Sequence, residues 1–229
     1  MAKTFFITGT DTDAGKTIVT AAMLEAANSQ GARTGAMKPV AAGAEDHGAG
    51  LQNDDALLLQ QCSNASMSYE QINPVLLKEA IAPHIAAERE GRRLTAERLV
   101  GFCRGAMMQP LDLMLVEGAG GWRVPLNQHE NLSELPRRLQ LPTILVVGMR
   151  LGCLNHALLT AEAIVADRVP LIGWVANRVD PYMDCYQENL DTLKNRLRAP
   201  LLAELPFIED VTAKEASAYM QEAVRTLLA

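Results

Sequence analysis

Phe5-Phe6-Ile7-Thr8-Gly9-Thr10-Asp11-Thr12-Asp13-Ala14-Gly15-Lys16-Thr17 is the stretch on which the fold turns. It opens as a short apolar strand over 5–8 and breaks into a polar turn of small residues. A helix follows, with apolar positions at Ile18, Val19, Ala22, Met23 and Ala26, a spacing that suits a 3.6-residue period. A strand, a loop closing on Gly-Lys-Thr and a helix are the context that a phosphate-binding loop needs. The loop's N–H groups and the positive end of the helix can face a polyphosphate. Lys16 can then reach the terminal phosphates, and the Thr17 hydroxyl can ligate Mg²⁺. One feature departs from the standard spacing: Gly9 stands one residue early and Thr10 holds its place. An ordinary turn with a chance Gly-Lys-Thr is the competing reading, and the strand before and amphipathic helix after weigh against it.

Outward from this loop, the first helix should end near Ser29-Gln30-Gly31, where glycine can supply the cap. A second strand over 34–37 runs into Lys38-Pro39, and the proline halts regular pairing. The glycine- and alanine-rich run 40–51 reads as a mobile loop. Asn53-Asp54-Asp55 caps a helix reaching residue 61. Residues 63–93 show no clear pattern, with Pro74 and Pro83 interrupting, and 94–108 reads as helix. A nearly continuous apolar strand over 111–116 then delivers Glu117 into Gly118-Ala119-Gly120-Gly121, as buried parallel strands do. Helix is expected over 132–139 despite Pro136, over 154–167, over 185–197 and through a tail over 212–228. Strands are expected over 143–148, over 171–176 ending at Asn177, and over 201–205 closing on Pro206. This alternation predicts an α/β fold: one doubly wound, mainly parallel sheet with helices on both faces, a single domain over 1–229.

Bulk properties narrow the function classes. A chain of 229 residues can bury one large core without disulfide staples. The net charge of −6, with no basic stripe, argues against a nucleic-acid partner. Cys62, Cys103, Cys153 and Cys185 lie far apart and form no C-x-x-C pair, and the first strand begins at once, leaving no room for a leader. Both features fit reduced thiols in the cytoplasm. The longest apolar run, 144–149, is too short to span a bilayer. His47, His84, His129 and His156 lack zinc-ligand spacing.

In doubly wound sheets ligands bind beyond the carboxyl ends of the strands. Lys38, Glu117, Arg150, Asn177 and Pro206 all fall there, beside the phosphate loop. Glu117, beside glycines that admit a ligand, suits a Mg²⁺ ligand rather than a merely solvated carboxylate. Asp54 and Asp55 open a helix, where carboxylates are favourable as caps anyway, so the residues alone leave their role open. Lys38 would be a solvated lysine elsewhere; its strand-end position makes it a site candidate. Asn177 suits either a base edge or a turn. Gly152-Cys153-Leu154-Asn155 suits either a carboxylate held on helix N–H groups or an ordinary helix start. Trp122 and Trp174 read as packing residues, Arg123 and Arg150 stay open between surface and site, and His156 reads as a structural hydrogen-bonder.

Taken together, these motifs resemble the dethiobiotin synthetase family, on a phosphate-loop NTPase fold. The resemblance rests on Gly9 to Thr17 with its displaced first glycine, on Lys38-Pro39-Val40-Ala41 and on Asn53-Asp54-Asp55-Ala56. It rests also on Val116-Glu117-Gly118-Ala119-Gly120-Gly121-Trp122, on Leu151-Gly152-Cys153-Leu154-Asn155-His156-Ala157 and on Gly173-Trp174-Val175-Ala176-Asn177. It implies a homodimeric, ATP-dependent cyclo-ligase joining 7,8-diaminononanoate and CO₂ through a carbamate and a mixed anhydride. By the same resemblance Lys16, Lys38 and Thr12 are catalytic, and Thr17, Asp55 and Glu117 hold Mg²⁺. ATP falls to Asp13, Ala14, Gly15, Lys16, Thr17, Ile18, Asp55, Glu117, Gly118, Ala119 and Gly120. Asn177, Arg178, Pro206, Phe207 and Ile208 take the base. Substrate contacts fall to Thr12, Lys38 and Ala42, with Gly152, Cys153, Leu154 and Asn155 taking its carboxylate from the neighbouring subunit. Ala42 and Ala82 replace serines common in the family, and Asn189 replaces a tyrosine, with Tyr186 one turn away. A nucleotide-driven switch on the same fold is the competing class. Such proteins carry a further lysine early in the loop, where this chain has Thr10 and Asp11.

Overall fold

The computed structural model describes residues 2–48 and 50–229. The chain opens with β1 (Lys3–Gly9), α1 (Lys16–Ser29) and β2 (Thr34–Met37), then β3 (Ala41–Ala42), β4 (Glu45–Asp46) and β5 (Leu51–Gln52). Next come α2 (Asp54–Cys62), α3 (Tyr69–Ile72), β6 (Leu76–Leu77), α4 (Pro83–Arg89), α5 (Ala96–Ala106) and β7 (Leu113–Glu117). The second half runs α6 (Glu134–Leu139), β8 (Thr143–Met149), α7 (Cys153–Ala166), β9 (Leu171–Arg178) and α8 (Tyr186–Arg196). It ends with β10 (Leu201–Leu205), α9 (Ala213–Ser217) and α10 (Gln221–Leu228).

Six strands form one sheet in the order β10-β9-β8-β1-β7-β2, and every pairing in it is parallel. The chain leaves β1 toward the β2 edge and later returns to β8 on its other side, so β1 lies at a topological switch point. Its register sets Ile7 opposite both Glu117 of β7 and Ile144 of β8, bringing the strand ends level around the phosphate loop.

The sheet is buried on both faces, which explains its unbroken apolar strands. Along β8, Ile144 and Val146 join the larger core, whereas Leu145, Val147 and Met149 join a second cluster on the opposite face. Each such side chain contributes about 1.5–3 kcal/mol on full burial, so this period-2 division fixes the register. Trp174 lies in the second cluster and Trp122 packs edge-on against Phe6, so both tryptophans are packing residues as expected.

Local signals explain most boundaries. α1 stops where Gly31 adopts φ +84°, with Gly31 N–H donating to Asn28 O and Ala32 N–H to Ala27 O. Pro136 is third in α6, where its missing N–H breaks no helical bond, and Pro83 opens α4 for the same reason. Other expectations need correction. The run 40–51 contains β3, which pairs with β6, and a hairpin of β4 and β5; Ala49 within it lies outside the described residues. Residues 63–93 hold α3, β6 and α4, elements too short to show a period. The tail is two helices, broken at Ala218–Met220.

Candidate active site

The phosphate loop is held by its neighbours. Asp13 and Gly15 both take left-handed backbone conformations, φ +56° and +83°, an arrangement that turns N–H groups toward a common centre. A Cβ on Gly15 would meet Asn177 Nδ2 at 1.9 Å, so only glycine fits. The displaced Gly9 has a similar cause: a Cβ there would lie 3.0 Å from Asp11 O and 3.1 Å from the Lys16 stem. Thr10 N–H donates to Val146 O, the Gly148 N–H to Thr10 Oγ1 and Asn177 Nδ2 to Ala14 O. Backbone and side-chain contacts to β8 and β9 thus support the loop.

Charges converge at its mouth. Lys16 is buried and its Nζ donates to Asp11 O at 3.0 Å. Burial pushes its ammonium below the usual lysine range; Glu117 opposes that shift and Lys38 adds to it. Lys38, one residue past β2, is 5% exposed, and its Nζ donates to Glu117 Oε1 at 2.8 Å and to Asp55 Oδ2. Burial alone would lower this ammonium, but the two carboxylates outweigh it and hold it above its ordinary value. For Asp55, burial opposes ionisation, and the Lys38 charge and hydrogen bond overcome it. The Asn53 side chain caps α2 by accepting from Ala56 N–H, which carries Asp55 to the cleft while Asp54 turns to His47 at 3.1 Å.

Glu117 is fully buried. Its Oε1 accepts from the Thr17 hydroxyl at 2.8 Å and from Lys38, while Oε2 finds no hydrogen-bond partner among the described residues. An unpaired buried carboxylate oxygen costs about 1–3 kcal/mol or more. The hydroxyl of Thr17 and the carboxylates of Asp55 and Glu117 are hard oxygen donors, and with that open position they fit a divalent cation such as Mg²⁺. Around them lies a cleft of about 740 Å³, into which Thr12, Lys16, Thr17, Lys38, Ala42 and Asp55 face.

Asp13, Gly15, Ile18, Ala119 and Gly120 line the same cleft. Ala14 and Gly118 are buried and do not line it. Ala80, Ile81, Val124 and Pro125 form walls that the sequence reading passed over; apolar loop residues carry no chemical signal of a site. Asn177, Arg178 and 206–208 sit at the ends of β9 and β10, outside this cleft. Arg178 stacks over the Tyr186 ring at 4.7 Å and donates to Pro181 O; Phe207 is 42% exposed. Within one chain, Gly152, Cys153, Leu154 and Asn155 do not reach the cleft either. Arg150 pairs with Asp11, and Arg123 lines the cleft while holding Asp167. His156 is exposed, against the structural role expected for it.

The parallel sheet, the switch-point loop and the lysine beneath it define a phosphate-loop nucleotide-binding protein. A family described as AAA domain matches residues 3–215. The MinD cell division protein of Aquifex aeolicus superposes with a TM-score of 0.62 at 14% identity, covering 99% of this chain and 97% of that one. MinD of Pyrococcus horikoshii, solved with Mg-ADP, gives 0.58 at 17% identity, covering 96% and 94%. These likenesses show the fold. The ATP-dependent dethiobiotin synthetase BioD of Cellvibrio japonicus is 56% identical over 218 residues, 95% of each chain. That of Marinobacter nauticus is 52% identical over 222 residues, covering 96% of this chain and 95% of its own. The chain belongs to the ATP-dependent dethiobiotin synthetase family.

Proposed function

We propose that this protein converts 7,8-diaminononanoate, CO₂ and ATP to dethiobiotin, ADP and phosphate, a step of biotin biosynthesis, as a single synthetase domain. One amine of the substrate takes up CO₂ and loses a proton, giving a carbamate. A carbamate oxygen attacks the γ-phosphorus and ADP leaves. The second amine then attacks the carbamoyl carbon, closing the urea ring and expelling phosphate. The observation that carries this reading is the meeting of Lys16, Lys38 and Thr17 with two carboxylates at the phosphate loop, in a member of this family.

The roles follow from charge and reach. Carbamate and triphosphate repel one another, and preorganised ammonium groups offset that repulsion where charge develops in transfer. Lys16 serves the phosphates, and Lys38 and Thr12 the carbamate. Thr17, Asp55 and Glu117 would hold Mg²⁺, which supplies further neutralisation of the phosphates when bound. Adenine is assigned to the end of β9, where Asn177 spends one N–H on Ala14 O and retains a second N–H and its carbonyl, with Arg178 and Pro206, Phe207 and Ile208 alongside.

A homodimer completes the site in this reading. Leu151 just ahead of α7 is 95% exposed, and within it Leu159 is 56% and Val165 63% exposed, apolar surface that a second copy would cover. The exposed start of α7, Gly152 to Asn155, would then offer its N–H groups to the neighbour's substrate carboxylate. No helix among the described residues is long and apolar enough to cross a membrane, and the reading places the enzyme in the cytoplasm.

Incubation with 7,8-diaminononanoate, bicarbonate and MgATP should yield the cyclic urea by mass spectrometry, with ATP consumption dependent on the diamine. Hydrolysis indifferent to the diamine, with no urea formed, would replace this function by a nucleotide-driven switch.

A further inference from the structure

We infer that Arg150 is a positioning residue for phosphoryl transfer, acting through Asp11. Four contacts meet at Asp11. Its Oδ1 accepts from the Thr12 N–H at 2.8 Å, its main-chain oxygen accepts from Lys16 Nζ at 3.0 Å, and its Oδ2 pairs with the Arg150 guanidinium at 2.9 Å. The fourth is a close approach: Asp11 O fills the space that a side chain on Gly9 would need. Two of the residues assigned to the reacting groups, Thr12 and Lys16, are therefore referred to one aspartate. β1 ends two residues earlier at Gly9, and β8 holds the neighbouring Thr10 through Val146 O and Gly148 N–H but, among the described residues, makes no hydrogen bond to Asp11 itself.

Arg150 supplies the anchor. It follows directly on Met149, the last residue of the buried strand β8, and its carbonyl accepts the N–H of Cys153 at the first turn of α7. The guanidinium is thus projected from backbone fixed on both sides, the condition under which a neighbouring charge orients a loop rather than following it. Where Lys16 gives up Asp11 O to a phosphate, one of the contacts holding the loop is lost. The Arg150 pair then keeps Asp11, and with it Thr12, in register while Lys16 moves. Both side chains are partly exposed, 39% and 48%, so solvent screens the pair and its effect belongs in turnover rather than in stability.

This rests on the function proposed above, which urea formation by the wild-type protein tests separately. The test takes Arg150→Met, which keeps the stem and removes the charge, and Asp11→Asn, which keeps the acceptor for Thr12 N–H and removes the partner charge. Each should lower kcat by about tenfold or more, since small misplacements of reacting groups cost up to 10²-fold. KM for ATP should change far less, and the melting temperature should move by no more than about 2–4 °C. Arg150→Lys should recover most of kcat, and the double variant should be no slower than the worse single one. Unchanged kcat in both single variants, or fully additive losses in the double variant, would overturn the inference. So would a fall in melting temperature that accounts for the lost activity.

Discussion

The Lys38 ammonium lies between the two carboxylates that a divalent cation would need. Metal and ammonium therefore compete for Asp55 and Glu117, and Glu117 Oε2, without a hydrogen-bond partner among the described residues, is the position that an ammonium leaves unserved. Lys38→Met should tighten Mn²⁺ binding to the nucleotide-free protein by about tenfold or more, because a contacting like charge is removed. The same variant should lose turnover by on the order of 10²-fold. Electron paramagnetic resonance of free Mn²⁺ reads the first effect, and unaltered affinity would contradict the shared cage. The pH window follows in sign. Asp55 is held below its ordinary range, so its contribution exists above that range and is lost as pH falls through the folded value. Lys38 is held above its own range, so its contribution exists below that range and is lost as pH rises through the folded value. The pair thus persists through neutral pH and fails toward either extreme. At this scale Lys16 and Thr17 were legible from the loop that closes on Gly-Lys-Thr, and Lys38 and Glu117 because strand ends mark them. Asp54 and Asp55 were not separable by residue chemistry, since a helix start favours both; the direction each faces depends on how α2 is seated.

That seating depends on Asn53. Its Oδ1 caps the Ala56 N–H, its Nδ2 donates to Gly43 O at 2.9 Å, and its own N–H donates to the Tyr69 hydroxyl. One side chain thus ties α2, which carries Asp55, to the segment carrying Ala42. Asn53→Ala should cost about 1–2 kcal/mol of stability, as a lost N-cap does. Thermal unfolding should show a fall of a few degrees, roughly 2–4 °C per kcal/mol for a chain of this size. Turnover should fall further than the lost stability explains, because Asp55 and Ala42 loosen together; a stable, fully active variant would remove this link. The cap itself was readable in Asn53-Asp54-Asp55. Its second role was not, because Gly43 and Tyr69 approach it only after the chain turns back. The same holds for α3, β6 and α4, whose few residues are ordered by neighbours rather than by their own periodicity.

At the scale of the whole molecule, the proposed dimer is tested by Leu159→Glu. An unpaired carboxylate buried in a subunit contact is strongly disfavoured, so sedimentation should shift from dimer to monomer. Turnover at low diamine concentration should fall with it, as the start of α7 no longer completes a neighbour's site. A wild-type protein that sediments as a monomer yet is fully active would exclude the shared site. The sequence alone determined the alternation of strands and helices, the phosphate loop, and the end of the sheet at which the site lies. Those follow from local periodicity and from the rule that parallel strands share one functional edge. Only the tertiary structure decided that Lys38 bridges Asp55 and Glu117, that Asn177 braces the loop at Gly15, and that Arg150 holds Asp11. Each of those contacts joins residues far apart in the chain, at strand ends or in the loops that follow them, and their distances exist only once the sheet has set every strand end beside its neighbour.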